Sequence, residues 1–312
     1  MDYFFSVRGR DADGYSNAVA SPKYLAVPKT ADRLDRSQEV GLRQWLADVQ
    51  DAACARPPAK GNILIFVHGF NTDQWDMLER HRLIRKGLDK QGYVGTVVSF
   101  DWPSDGTALG YVSDRRDARL AADCLFKHGI TRLSAMQRED CEFNIHILAH
   151  SMGTFLVREA FDYADDDHKT AQKSWNVSQV ALVAADISAK SMHKGSPKTS
   201  SLLRHATRVT SYFSPLDEIL SISEVKRIGV SRRLGRVGLP AAHSDKVYDV
   251  YCGAYYKAHK DEFEGGVSVS HRWYFESDRF YEDLNHTLAG KLDRNEIPTR
   301  GPTTDGRLAL IG

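Results

Sequence analysis

The residue best placed to do chemistry is a serine at a turn. Residues 143–153 read FNIHILAHSMG, an apolar run that ends in Ala149-His150-Ser151-Met152-Gly153. Beyond it, Phe155, Leu156, Ala160 and Tyr163 recur at helical spacing. A strand, a tight turn holding serine between small residues, and a helix make a nucleophile elbow, here with Ala149 where the pattern has its first glycine. Crowding explains the small neighbours, because a serine at the apex of such a turn is strained and Gly153 lets helix and strand approach closely. The same turn also suits a plain strand-to-helix connection in which serine caps the helix.

A serine hydroxyl is a weak nucleophile near neutral pH. It needs a base to take its proton and a third group to orient that base. On this type of turn the chain order is Ser, then an acid, then His. Two acids after Ser151 fall at strand ends: Asp217, in SPLDE, and Asp186. Asp217 lies two strands beyond the nucleophile strand and is the preferred candidate; Asp186 is the alternative. Of the histidines beyond Asp217, His243 precedes a strand, at the wrong edge, and His286 falls inside a helix. His259 and His271 remain, both after the strand KVYDVYC. Acyl transfer also needs donors for a developing oxyanion. The amide of Met152 supplies one, and that of Phe70, in the turn His68-Gly69-Phe70, the second. His68 itself is expected to be structural.

These groups require a scaffold that brings strand ends together. From Asn62 to Cys252 apolar strand candidates alternate with helices: NILIFV, VGTVVSF, FNIHIL, VSQVALVA, TRVTSYF and KVYDVYC are the strands. That alternation predicts a mostly parallel sheet with helices on both faces, whose working residues gather at the carboxyl ends of the strands. Tyr3–Val7 and Tyr24–Val27 read as leading antiparallel strands at one edge, and 38–53 as a helix. Residues 1–60 are expected to pack on a catalytic domain at 61–291, and 292–312 to form a tail that frays or wraps the surface. Segments 187–206 and 218–245 have room for a small helical lid only. The second carries Lys226, Arg227, Arg232, Arg233 and Arg236, a basic group suited to an anionic substrate or to plain solvation.

Composition narrows the partners. In 312 residues, 42 Lys and Arg face 41 Asp and Glu, so no net charge favours nucleic acid or an anionic membrane. No integral membrane segment and no secretory leader is read, and Cys54, Cys124, Cys141 and Cys252 lack CxxC spacing. A cytoplasmic protein with reduced, buried thiols is expected. No metal-ligand spacing or nucleotide motif occurs, so neither metal nor other cofactor is called for.

Taken together, FVHGFN, SFDWPSDG, GYVSDRRDA, ILAHSMG, YFSPLDEIL and SHRWYF resemble the alpha/beta-hydrolases grouped as the domain of unknown function 900 family. The resemblance covers roughly residues 60 to 290 and implies an α/β-hydrolase fold akin to serine lipases and esterases. It selects His271 as base, since a His followed by aromatic residues occupies that position in the family. It also implies Ser151 as nucleophile and Asp217 as acid. The expected activity is cleavage of a small-molecule or lipid-like carboxylic ester through an acyl-enzyme. The same residues equally serve a thioester, amide or phospholipid ester, and the fold also occurs as a silent binding module. Trp102 and Tyr111, near the carboxyl edge, are candidates for lining an acyl pocket and equally for core packing. Oligomeric state is not legible.

Overall fold

A computed structural model of the chain describes residues 1–12, 14–55, 61–104, 111–136, 143–167, 175–225 and 231–312, with the backbone alone at 111–115 and 223–225. Its centre is one eleven-stranded sheet: β1 (Asp2–Arg10), β2 (Tyr15–Val27), β3 (Glu39–Val40), β4 (Asn62–Val67), β5 (Thr96–Asp101), β6 (Asn144–His150), β7 (Val177–Val183), β8 (Ala206–Phe213), β9 (Val247–Tyr251), β10 (Arg300–Pro302) and β11 (Leu308–Leu310). The spatial order is β10-β11-β9-β8-β7-β6-β4-β5-β1-β2-β3. Every neighbouring pair from β11 through β1 is parallel, and only the outer strands β10, β2 and β3 join antiparallel.

A parallel sheet needs cover on both faces, which is why its strands read as continuous apolar runs. Side chains alternate along each strand. Ile63, Ile65 and Val67 of β4 join one core with Trp45, Ile145, Ile147, Phe155 and Phe161. Leu64 and Phe66 point the other way, into a second core with Ile84, Leu148, Trp273, Phe280 and Leu284. The helices Leu42–Ala53 and Gly153–Asp166 cover the first face; Gln74–Lys90 and Asp278–Ala289 cover the second. From β4 the chain adds β5 on one side, then crosses back to place β6 on the other. The gap between the carboxyl ends of β4 and β6 is therefore the switch point where open α/β sheets hold their ligands.

Three expectations change at the ends of the chain. β1 is an interior strand, paired parallel to β5 as well as antiparallel to β2. The helix expected over 38–53 begins at Leu42, because Glu39 and Val40 pair with β2 and Gly41 supplies extended backbone at the helix start. Residues 300–310, expected to fray or wrap the surface, extend the sheet beyond β9. Their anchor is Arg300, which grips the buried Asp283 carboxylate with Nε at 2.8 Å and Nη2 at 2.7 Å. Tyr212 and Thr299 also donate to that carboxylate, at 2.7 and 2.6 Å. Burial alone would raise the Asp283 carboxyl; the Arg300 charge and these hydrogen bonds hold it below the usual range. Of the described cysteines only Cys252 is buried, Cys54 being exposed and Cys124 half-buried, while Cys141 lies outside the described residues. Among the described residues no helix is long and apolar enough to cross a membrane.

Removing one partner of such a pair strands the other charge in the core. Arg300→Leu is expected to lower the unfolding free energy by about 3–5 kcal/mol, measured by urea denaturation. A loss within experimental error would show that the C-terminal strands are dispensable to the fold.

Candidate active site

Ser151 follows β6 immediately and adopts φ of +53°, a left-handed conformation rare for a residue with a side chain. Hydrogen bonds hold it from both directions. Its amide donates to the Val183 carbonyl at 3.0 Å, and its carbonyl accepts from the amides of Asp186 at 3.2 Å and Thr154 at 3.1 Å. The Thr154 hydroxyl adds a fourth contact at 2.6 Å. The helix Gly153–Asp166 starts directly beyond, with Met152 at its cap position. The first amides of a helix lack intrahelical partners and favour negative charge.

Two glycines make room for this turn. A Cβ on Gly153 would fall 2.4 Å from the Val67 carbonyl oxygen and 2.5 Å from that of His68. A Cβ on Gly69 would fall 2.8 Å from the Cβ of Ser151. The loop after β4 is thus seated against the serine, with Phe70 next to the contact.

Opposite, Asp217 and His271 meet although 54 positions separate them. The Asp217 carboxylate lies 2.7 Å from Nδ1 of His271, and both side chains are buried. A second contact joins the same two segments, as the Glu218 amide donates to the Ser270 hydroxyl at 3.1 Å. Asp217 also accepts from the Leu220 amide at 2.9 Å, capping the helix Glu218–Val225. The histidine segment is tied to the elbow through His150, the residue before Ser151, whose Nε2 donates to the His271 carbonyl at 3.0 Å. Burial, then the neighbouring His271 and Arg80, depress the basicity of His150, so the ring is held neutral. Behind it Phe275 packs edge-on at 5.1 Å, and Trp273, Tyr274 and Phe275 are all buried.

The other candidates have different partners. Asp186 stands beside the elbow, but its carboxylate lies 3.2 Å from the Arg233 guanidinium. His259 ends the helix Gly253–His259 and pairs with Glu262 at 2.8 Å. His243 contacts the Pro240 carbonyl ahead of β9, and His286 sits in the final helix. Trp102 belongs to the core: it is fully buried, stacked on His68, with its indole N–H donating to the His68 carbonyl at 3.0 Å. Tyr111 opens the helix Tyr111–Cys124, its side chain outside the described residues, as are Lys226 and Arg227.

Sequence reading missed a buried clamp behind the loops. Arg8 of β1 donates Nε to Asp101 at 2.8 Å and Nη2 to the carbonyls of Thr72 and Trp102, each at 3.1 Å. Asp101 also accepts from Ser6 at 2.8 Å and lies 3.7 Å from Nε2 of His68. Burial would raise the Asp101 carboxyl; Arg8 and His68 hold it far below the usual range. Thr72 and Trp102, just beyond β4 and β5, are thereby held by the one Arg8–Asp101 pair. Arg8, closing the apolar run YFFSV, was the signal available, since a charge in a buried strand must find a partner.

A mostly parallel sheet with a positive-φ serine at its switch point, and a buried Asp-His pair tied to that turn through His150, is the α/β-hydrolase fold. Over residues 50–254 the chain matches the family described as alpha/beta hydrolase of unknown function (DUF900), and it belongs to that family. Among curated proteins it is 37% identical over 60 residues to an uncharacterized protein of Nostoc sp., a match covering 19% of this chain and 15% of that protein's length. Among solved structures it is similar to Aspergillus fumigatus lipase B (15% identity, TM-score 0.42, 93% of this chain and 67% of that one). Others are phospholipase PlaB of Legionella pneumophila (14%, 0.37, 80% and 67%) and an acetylxylan esterase (14%, 0.35, 75% and 100%).

If the elbow stores strain, relieving it should stabilise the protein. Ser151→Gly is expected to raise the unfolding free energy by about 1 kcal/mol, read by urea denaturation. Unchanged or lower stability would mean that the positive φ carries no cost.

Proposed function

We propose that the protein is a serine hydrolase that cleaves carboxylic esters through an acyl-enzyme. Ser151 attacks the carbonyl carbon while His271 takes the hydroxyl proton, and the tetrahedral oxyanion is held by the amides of Met152 and Phe70. Collapse expels the alcohol, which receives the proton from His271. Water activated by the same imidazole then releases the acid and restores Ser151. Asp217 orients the ring and stabilises its charged form. The substrate is a small-molecule or lipid-like ester.

The observation that carries this reading is the 2.7 Å contact between the buried Asp217 carboxylate and Nδ1 of His271. Because a carboxylate only accepts, the contact calls for a proton on Nδ1 and supports Nε2 as the nitrogen that acts as base. The His150 bridge adds weight, because it ties the His271 backbone to the residue preceding the nucleophile.

A fluorophosphonate probe tests the assignment. Wild type is expected to give one adduct, mapped to Ser151 by mass spectrometry. Ser151→Ala should give none, and His271→Ala should be suppressed. Folded wild-type protein that takes up no probe would sink the proposal. For Asp217→Asn the ester turnover number should fall by about three to four orders of magnitude, as when a triad acid is replaced by its amide. A fall of less than tenfold would remove Asp217 from the mechanism.

A further inference from the structure

A concavity opens at the carboxyl ends of β8 and β9, and neither Ser151 nor His271 lines it. It has a volume of about 680 Å³, and Phe213, Pro215 and Tyr251 form part of its wall. Its rim brings together Arg232, Arg236 and Arg307, from segments more than 70 positions apart, with Asp305 as the acid among the lining residues. Among the described lining residues, three guanidinium groups face one carboxylate.

Two of the arginines are held in place. Arg236 donates Nη2 to the Pro215 carbonyl at 3.1 Å. Arg307 donates Nη1 to the Val237 carbonyl at 3.3 Å and lies over the Phe213 ring at 5.6 Å. The turn presenting Arg307 is itself braced. The Thr303 amide donates to the Arg307 carbonyl at 2.8 Å, and the Arg307 amide donates to the Thr303 hydroxyl at 2.9 Å. Arg232 is exposed and, among the described residues, pairs with no carboxylate. Arg307 has its ion pair within the pocket, to Asp305 at 3.3 Å.

Planar, fixed guanidinium groups match the oxygens of a phosphate better than mobile ammonium groups do. We propose that this pocket is a binding site for a doubly charged phosphate group, carried by a free phosphomonoester or by a lipid headgroup. Asp305 acts as an internal competitor that occupies Arg307 until the phosphate displaces it. The site does not rest on ester hydrolysis, so Ser151→Ala protein should bind phosphate as wild type does.

The test is calorimetric titration of the full chain with inorganic phosphate at constant ionic strength. Saturable one-to-one binding is expected, weakened about tenfold or more in the Arg232→Gln/Arg307→Gln double variant. Binding should tighten severalfold in Asp305→Asn. All substitutions lie at exposed positions, and circular dichroism checks that each variant folds. Absence of saturable binding in wild type, or equal affinity in wild type and both variants, would overturn the site. Sedimentation with phosphatidylcholine vesicles, with and without phosphatidic acid, separates the sources. Retention that requires both phosphatidic acid and the two arginines supports the site and assigns it to a headgroup. Arginine-dependent phosphate binding without such retention supports the site and assigns it to a free phosphomonoester.

Discussion

The left-handed turn at Ser151 is the constraint on which the rest of the site depends. A side chain at positive φ costs roughly 1–2 kcal/mol, and the conformation persists only where its surroundings over-determine it. Here β7 supplies the Val183 carbonyl, the turn after β7 supplies the Asp186 amide, and the new helix supplies Thr154. Those contacts hold the turn only if β4, β6 and the helix pack without a Cβ between them, hence Gly153. Strand order, helix start and serine orientation are thus one mechanical unit.

The residues that follow β4 and β5 are braced electrostatically. A carboxylate as buried as Asp101 survives in charged form only beside an equally buried cation, and Arg8 provides it. The pair is anchored in β1, an interior strand of the sheet, so the loop carrying Gly69 and Phe70 is braced from outside the family's matched span of 50–254. The residues before that span belong to the architecture of the site.

The Asp-His pair is built in a third way, by tertiary docking of short segments. Neither the SPLDE loop nor the short helix Val269–Arg272 has regular structure long enough to stand alone. They hold each other through Asp217–His271 and Glu218–Ser270, and the aromatic run after His271 seals them onto the second core. In the same region the C-terminal hairpin adds β11 to β9 and sets Arg307 beside Arg232 and Arg236.

By itself, the sequence determined the interior of the fold. NILIFV, FNIHIL and VSQVALVA had to be doubly covered strands, because only a parallel sheet buries unbroken apolar runs on both faces. The elbow was legible because its residue types answer to local crowding. Candidates for acid and base could be placed at strand ends, but residue chemistry alone left Asp186 beside Asp217 and His259 beside His271. Tertiary structure decided what depends on contacts between distant segments. It put Asp186 against Arg233 and Asp217 against His271, made Trp102 a core residue, buried Arg8 on Asp101, and turned the expected tail into sheet through Arg300 and Asp283. Local patterns report what a segment must bury; which charge neutralises which is settled only when segments far apart in the chain enter the same low-dielectric space.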